Sequence, residues 1–246
     1  MKFHSFEHGL RVVIVGASGG IGKALIEALV VSEQVSHIHA LSRQGVSHPS
    51  SKVANLTFDF TDEPSIIAAA QALAEVGPLD MVIVATGLLQ GQGIRPEKGF
   101  RSLSYEGFET SFMVNTIGPA MTAKYFLPLL RRDRKAVFAA LSARVGSISD
   151  NRLGGWHSYR ASKAALNMVI KTLSIEHGRR YKEAVIIGLH PGTVDTSLSK
   201  PFQSNVAPDK LFTPEFSAQR LLTVIDGLTP EDSGELYDWA GKHIQP

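Results

Sequence analysis

The chain has 246 residues, 43% hydrophobic and 20% charged, the balance of a globular protein long enough to bury a sizeable core. It has no cysteine, so disulfides, thiolate metal sites and thiol nucleophiles are excluded, and no metal site is read from the sequence. A formal net charge of +2 is too small to argue for nucleic acid, and no run approaches the ~18 apolar residues of a membrane span. The polar start, with His4, Glu7 and His8, lacks the pattern of a signal peptide, so a cytoplasmic protein without membrane or nucleic-acid partners is expected.

Leu10-Arg11-Val12-Val13-Ile14-Val15 is a short β-branched run, the mark of a buried parallel strand. Gly16-Ala17-Ser18-Gly19-Gly20-Ile21-Gly22 follows at once, and residues 23–30 have helical periodicity. Strand, glycine turn and helix form the context of a nucleotide-binding fingerprint. Glycines let the backbone approach a pyrophosphate, and a helix N-terminus offers free N–H groups to its charge. The competing reading is a plain βα turn. A second strand covers 37–41 and ends at Ser42-Arg43. No Asp or Glu lies between Val35 and Val53 to accept bonds from a ribose 2′-OH, whereas Arg43 offers a charge-assisted contact to a 2′-phosphate. NADP(H) is therefore favoured over NAD(H), against the reading of Arg43 as a plain surface residue.

Residues 53–58 read as the third strand, closed by Asp59-Phe60. Thr61-Asp62-Glu63-Pro64 starts an alanine-rich helix that Gly77-Pro78 breaks. Residues 80–84 form the fourth strand, and Ala85-Thr86-Gly87 opens a long loop over 88–104, a length that is often functional. Residues 105–130 are mostly helical, with Asn115 inside and Pro119 and Pro128 expected to segment the run. The basic cluster 131–135 sits where that helix ends and reads as structural. Residues 136–141 are the fifth strand. A glycine-rich loop from Ser142 to Trp156 then leads to Tyr159-Arg160-Ala161-Ser162-Lys163 at the head of an apolar helix. On a helix Tyr159 and Lys163 share a face, and an ammonium beside a phenol favours the phenolate, which predicts a lowered tyrosine pKa and proton exchange with a carbonyl or alcohol. Residues 184–190 are the sixth strand, ended by Pro191-Gly192; 193–212 read as an irregular, mobile lid. A last helix runs to Gly227 and a last strand covers 234–239.

Strands alternate with helices throughout. That predicts an α/β fold: one doubly wound Rossmann-type domain over residues 1–246, with a mostly parallel sheet of about seven strands. Ligands of such sheets bind beyond the strand C-terminal ends, where the sequence places Gly16 to Gly22, Ser42, Arg43, Asp59, Ala85 to Gly87, Ser142, Pro191 and Gly192.

The order of these motifs resembles the short-chain dehydrogenase/reductase family over residues 12–239, with a branch similar to C-factor and the carbonyl reductases. The resemblance implies hydride transfer between NADP(H) and a carbonyl or alcohol, or, in a second reading, a dinucleotide-binding signalling protein with little turnover. It assigns cofactor contacts to Gly16, Ser18, Gly20, Ile21 and Gly22, to Ser42 and Arg43, to Asp59 and Phe60, to Ala85, Thr86 and Gly87, and to Pro191, Gly192, Val194 and Thr196. It implies Tyr159 as general acid/base, Lys163 as its helper on the nicotinamide ribose, and Asn115 as holder of a water linking Lys163 to solvent. It also implies a homodimer or homotetramer. Two departures stand out. Val84-Ala85-Thr86-Gly87 replaces the usual Asn-Asn-Ala-Gly. The catalytic serine, three residues before Gly146, is Ala143 here, with Ser142 one position early and Ser147 a further candidate. Leu88, Leu89, Leu153, Trp156, Leu198 and Phe202 predict an apolar substrate pocket.

Overall fold

The computed structural model describes residues 1–91 and 93–246, without the side chain of Asn205; Gln92, inside the predicted 88–104 loop, lies outside the described residues. In chain order the elements are β1 (Leu10–Val15), α1 (Gly20–Val30), β2 (Val35–Ser42), β3 (Val53–Thr57), α2 (Glu63–Val76) and β4 (Met81–Val84). Then come α3 (Tyr105–Phe112), α4 (Gly118–Phe126), β5 (Ala136–Leu141), α5 (His157–Gly178) and β6 (Ala184–His190). The last elements are β7 (Thr193–Val194), β8 (Leu211–Phe212), α6 (Pro214–Gly227) and β9 (Leu236–Asp238).

Among the described residues seven strands form one sheet in the order β3-β2-β1-β4-β5-β6-β9, and every neighbouring pair is parallel. Parallel strands need helical crossovers, and the helices cover both faces. The period of two then sorts the side chains. Val12, Ile14, Met81, Ile83, Val137 and Ala139 pack with Leu25 of α1 and Leu221 of α6. Val13, Val15, Val82, Val84, Phe138 and Ala140 pack with Ile66 of α2, Phe126 of α4 and Leu166 of α5.

The 105–130 segment is broken as its prolines predict. A single π-helical turn, Met113–Ile117, joins α3 to α4, and Pro119 lies in the first turn of α4. Proline has no N–H to give to the Asn115 carbonyl four residues earlier, and such turns recur where a helix bulges at a functional position. Pro128 falls in a 3₁₀ turn, Leu127–Leu129.

The lid over 193–212 is not irregular, which corrects the sequence reading. Thr193 and Val194 pair in parallel with Leu211 and Phe212, and 3₁₀ turns lie between. Two-residue strands carry no periodic signal, so pattern reading misses them.

The basic cluster proves structural. The Asp80 carboxylate, fully buried, accepts from Arg11 N at 3.0 Å, Arg131 Nε at 2.8 Å and Arg134 Nη2 at 3.3 Å. Removing one partner of a buried charge cluster is strongly destabilising. Asp80→Ala should lower unfolding stability by about 3 kcal/mol in urea titration, and Asp80→Asn by less, because the amide oxygen still accepts from Arg11.

Candidate active site

The turn after β1 is shaped by steric exclusion. Gly16 has φ +83°, and a Cβ there would stand 2.7 Å from Thr86 Cγ2. A Cβ on Gly22 would stand 2.2 Å from the Gly16 carbonyl oxygen. Only glycine fits either position. The N-terminus of α1 has no side-chain cap, and Ser18, Gly19 and Gly20 are exposed. Its orphan N–H groups therefore face outward, as an anion site requires. Ile21 is half-buried beneath them.

The neighbouring strand ends continue this cradle. Ser42 is 5% exposed and its Oγ has no partner; Thr86 Oγ1 is likewise buried and unpaired. Unpaired buried hydroxyls at one sheet edge fit a polar ligand that completes them. Arg43 projects into solvent beyond Ser42. Asp59 accepts from Thr61 N and Oγ1, which holds its carboxyl below its ordinary range, and the Arg43 charge adds to this. Phe60 lies on α4, where a Cβ on Gly118 would meet its ring at 2.4 Å. Ala85 N continues the sheet by donating to Val15 O. On the other side, Ser217 Oγ donates to Pro191 O, and Gly192, with φ +81°, approaches Phe212. Val194 is buried, and Thr196 comes so close to the glycine turn that a Cβ on Gly20 would stand 2.7 Å from its Cγ2. The residues assigned to the cofactor thus do line one edge, and the chemistry of that edge fits a dinucleotide.

Tyr159 and Lys163 lie one turn apart on α5, 8% and 2% exposed. Lys163 Nζ donates to the Leu141 carbonyl at 2.7 Å, at the end of β5. Asn115, fully buried, accepts from Leu88 N and donates to Leu88 O, both at 2.8 Å, and its second N–H donates to Ser162 Oγ at 3.1 Å. The side chain therefore mimics a strand partner for the loop after β4 and ties that loop to α5. A Cβ on Gly87 would stand 3.7 Å from Lys163 Nζ and 3.8 Å from Asn115 Oδ1, so all three residues meet.

One electrostatic expectation is overturned. Burial pushes the Tyr159 phenol up to about 12 rather than down. It also pushes the Lys163 ammonium down to about 7. The ammonium lies 5.9 Å from the phenol ring centroid, and desolvation of both groups outweighs their attraction.

Ser142 is also corrected. Strand alternation continues Ala136, Phe138 and Ala140 onto it, and its hydroxyl donates to Asn167 Oδ1 at 2.6 Å on α5. Ala143, not Ser142, packs against Tyr159 and Leu89. Ser147 is also turned elsewhere, toward Ser149 Oγ and Asp150 N. Around Tyr159 the walls are apolar. Trp156 stands edge-on to it at 6.3 Å and meets Phe202 at 5.0 Å, with Val145 and Leu198 alongside. Of the predicted pocket residues, Leu153 is 91% exposed and lies outside. Leu88 lines a cleft of about 630 Å³ with Gly87, Arg95 and Leu198. Val145 was not legible in the sequence, because one apolar residue in a loop carries no pattern.

Residues 11–207 match the short chain dehydrogenase family. The chain belongs to that family. It is 37% identical over 188 residues to 1-hydroxy-2-glutathionyl-2-methyl-3-butene dehydrogenase of Rhodococcus sp. (strain AD45), covering 76% of this chain and 77% of the relative. It is 34% identical over 168 residues to C-signal of Myxococcus xanthus, covering 68% of this chain and 93% of that one. The fold is that of NADPH-bound carbonyl reductase from chicken fatty liver, with a TM-score of 0.83 at 24% identity, over 97% of this chain and all of the other. This family member is an oxidoreductase by descent, its sheet edge suited to a nicotinamide dinucleotide. Among the described residues no helix is long and apolar enough to cross a membrane, and no metal-ligating cluster is present.

The depressed Lys163 pKa has a measurable consequence. Between pH 7 and 10.5 the unfolded chain binds the proton that the folded chain has lost. The resulting destabilisation is full below pH 7 and relieved as pH rises through that window. Lys163→Met should therefore raise the melting temperature at pH 6.5 by roughly 5 °C or more, with the gain shrinking toward pH 10 in calorimetric scans.

Proposed function

We propose that this protein is an NADP(H)-dependent carbonyl reductase or alcohol dehydrogenase of an apolar small-molecule substrate, one domain acting in the cytoplasm. The observation that carries this reading is the meeting of Tyr159, Lys163 and Asn115 under an apolar cage at the edge that holds the glycine turn. The dinucleotide supplies or accepts the hydride. Tyr159 gives its hydroxyl proton to the carbonyl oxygen as an alkoxide would otherwise form. A phenol held at about 12 keeps its proton at neutral pH, which suits reduction. Lys163, held at about 7, can return a proton to the phenolate without a large energetic step. Asn115, in the π turn before Pro119, would hold a water on that route. Arg43 supplies the contact to a 2′-phosphate, with Ser42 Oγ beside it. Ala143 leaves the cage without the usual hydroxyl, so Tyr159 alone binds the carbonyl oxygen there.

Calorimetry should show NADPH bound more tightly than NADH, and Arg43→Ala should weaken NADPH roughly tenfold or more while leaving NADH unchanged. Tyr159→Phe should cut turnover on an aromatic aldehyde panel by about 10²–10⁴ with NADPH affinity intact. Ala143→Ser adds a second donor to the carbonyl oxygen, and we expect kcat to rise.

Ala143 and the likeness to C-signal favour a second reading, a dinucleotide-binding signalling protein. Tight NADPH binding without turnover on any carbonyl, in Ala143→Ser as well as in the parent, would select it. A homodimer or homotetramer is proposed through the helical segments that hold Asn115 and Tyr159, where Ile117 and Ile175 are 43% and 53% exposed. A monomeric sedimentation profile at micromolar concentration would contradict it.

A further inference from the structure

The loop over 88–104 carries one acidic side chain that this chemistry does not use. Glu97 is 4% exposed, although it sits in a loop of otherwise polar and glycine-rich sequence. A buried acid needs partners. Both of its side-chain oxygens lie 3.3 Å from Ser158 N, in the first turn of α5. Its main-chain carbonyl accepts from Trp156 N at 2.6 Å. A Cβ on Gly107, in α3, would stand 3.5 Å from Glu97 Oε1. Glu97 therefore lies between the starts of α3 and α5, and it holds the backbone on both sides of residue 157.

What it holds is unusual. Among the described residues Trp156 is the one non-glycine with positive φ, at φ 51° and ψ 44°. A bulky side chain in the left-handed region persists only where its surroundings impose it. Trp156 is also the N-cap of α5, a position its side chain cannot cap, so the first turn takes its acceptor from Glu97 instead. The indole so placed forms the wall between Tyr159 and Phe202.

We infer that Glu97 is a positioning residue that fixes Trp156 over Tyr159 and thereby sets the preference of the pocket for a bulky, flat apolar substrate. It acts from the loop over 88–104 and ties that loop to the start of α5. The activity arm of the test rests on the reductase reading; the spectroscopic arm does not.

The variants are Glu97→Ala, Glu97→Gln, Trp156→Ala and the Glu97→Ala/Trp156→Ala double variant, each with NADPH. Glu97→Ala should raise KM for naphthaldehyde roughly tenfold with kcat within about twofold, and leave KM for propanal and NADPH affinity unchanged. Glu97→Gln keeps one acceptor for Ser158 N and should restore most of the loss. The double variant should be no worse than Trp156→Ala. The Trp156 emission, taken as the difference between each protein and its Trp156→Phe counterpart, should shift to the red and quench more readily with acrylamide in Glu97→Ala but not in Glu97→Gln. Where Glu97→Ala does not fold, Glu97→Asp, one methylene short of Ser158, replaces it in every readout. Full additivity of the two KM effects, or unchanged Trp156 emission in Glu97→Ala, would overturn the inference. Absence of turnover on both aldehydes in the parent protein would count against the reductase reading, and the emission would still decide the role of Glu97.

Discussion

Everything in this molecule follows from a sheet whose strands all run one way. Such a sheet has its crossovers on both faces, so it leaves no room for a ligand there. It also brings all the strand C-terminal ends to one edge, and the break in winding between β1 and β4 opens a crevice at that edge. The glycine turn lies on one side of the crevice and the Asn115, Tyr159 and Lys163 group on the other. No single residue selects the site. The direction of the strands does.

Within the crevice, dehydration governs the chemistry. Tyr159 and Lys163 are nearly sealed off, and each is driven toward its neutral form. The reference picture of a cation beside a phenol assumes that the cation stays charged at little cost. Here the ammonium pays for its burial with a single strong bond to Leu141 O. The pair holds two exchangeable protons near neutral pH: one phenolic proton held firmly and one ammonium proton held loosely.

The pocket above them is built by long-range ties instead of local order. Asn115 reaches across to Leu88, Glu97 to Ser158, and Val194 pairs with Phe212. The first two ties fasten the 88–104 loop to the helical segments that carry Asn115 and Tyr159, and the third closes the 193–212 segment on itself as a separate two-stranded sheet. Loops so fastened can carry apolar walls that solvent would otherwise pull apart, and the aromatic contact of Trp156 with Phe202 joins the two.

By itself the sequence determined the strand and helix order, the parallel sheet, the glycine turn and the positions of Asn115, Tyr159 and Lys163. These rest on signals confined to a few neighbouring residues: β-branched runs, glycines before a helix, and a spacing of four on one helical face. Tertiary structure alone decided the rest. Ser142 and Ala143 look interchangeable along the chain, but pleat alternation turns one toward Asn167 and leaves the other against Tyr159. The phenol pKa depends on how much water the fold removes, which no local pattern records. Glu97 reads as one more loop charge until α3 and α5 converge on it. The physical reason is common to all three: side-chain direction, dehydration and long-range hydrogen bonds are properties of what packs around a residue, and the deciding partners lie far along the chain, 25 positions for Ser142 and Asn167 and 61 for Glu97 and Ser158.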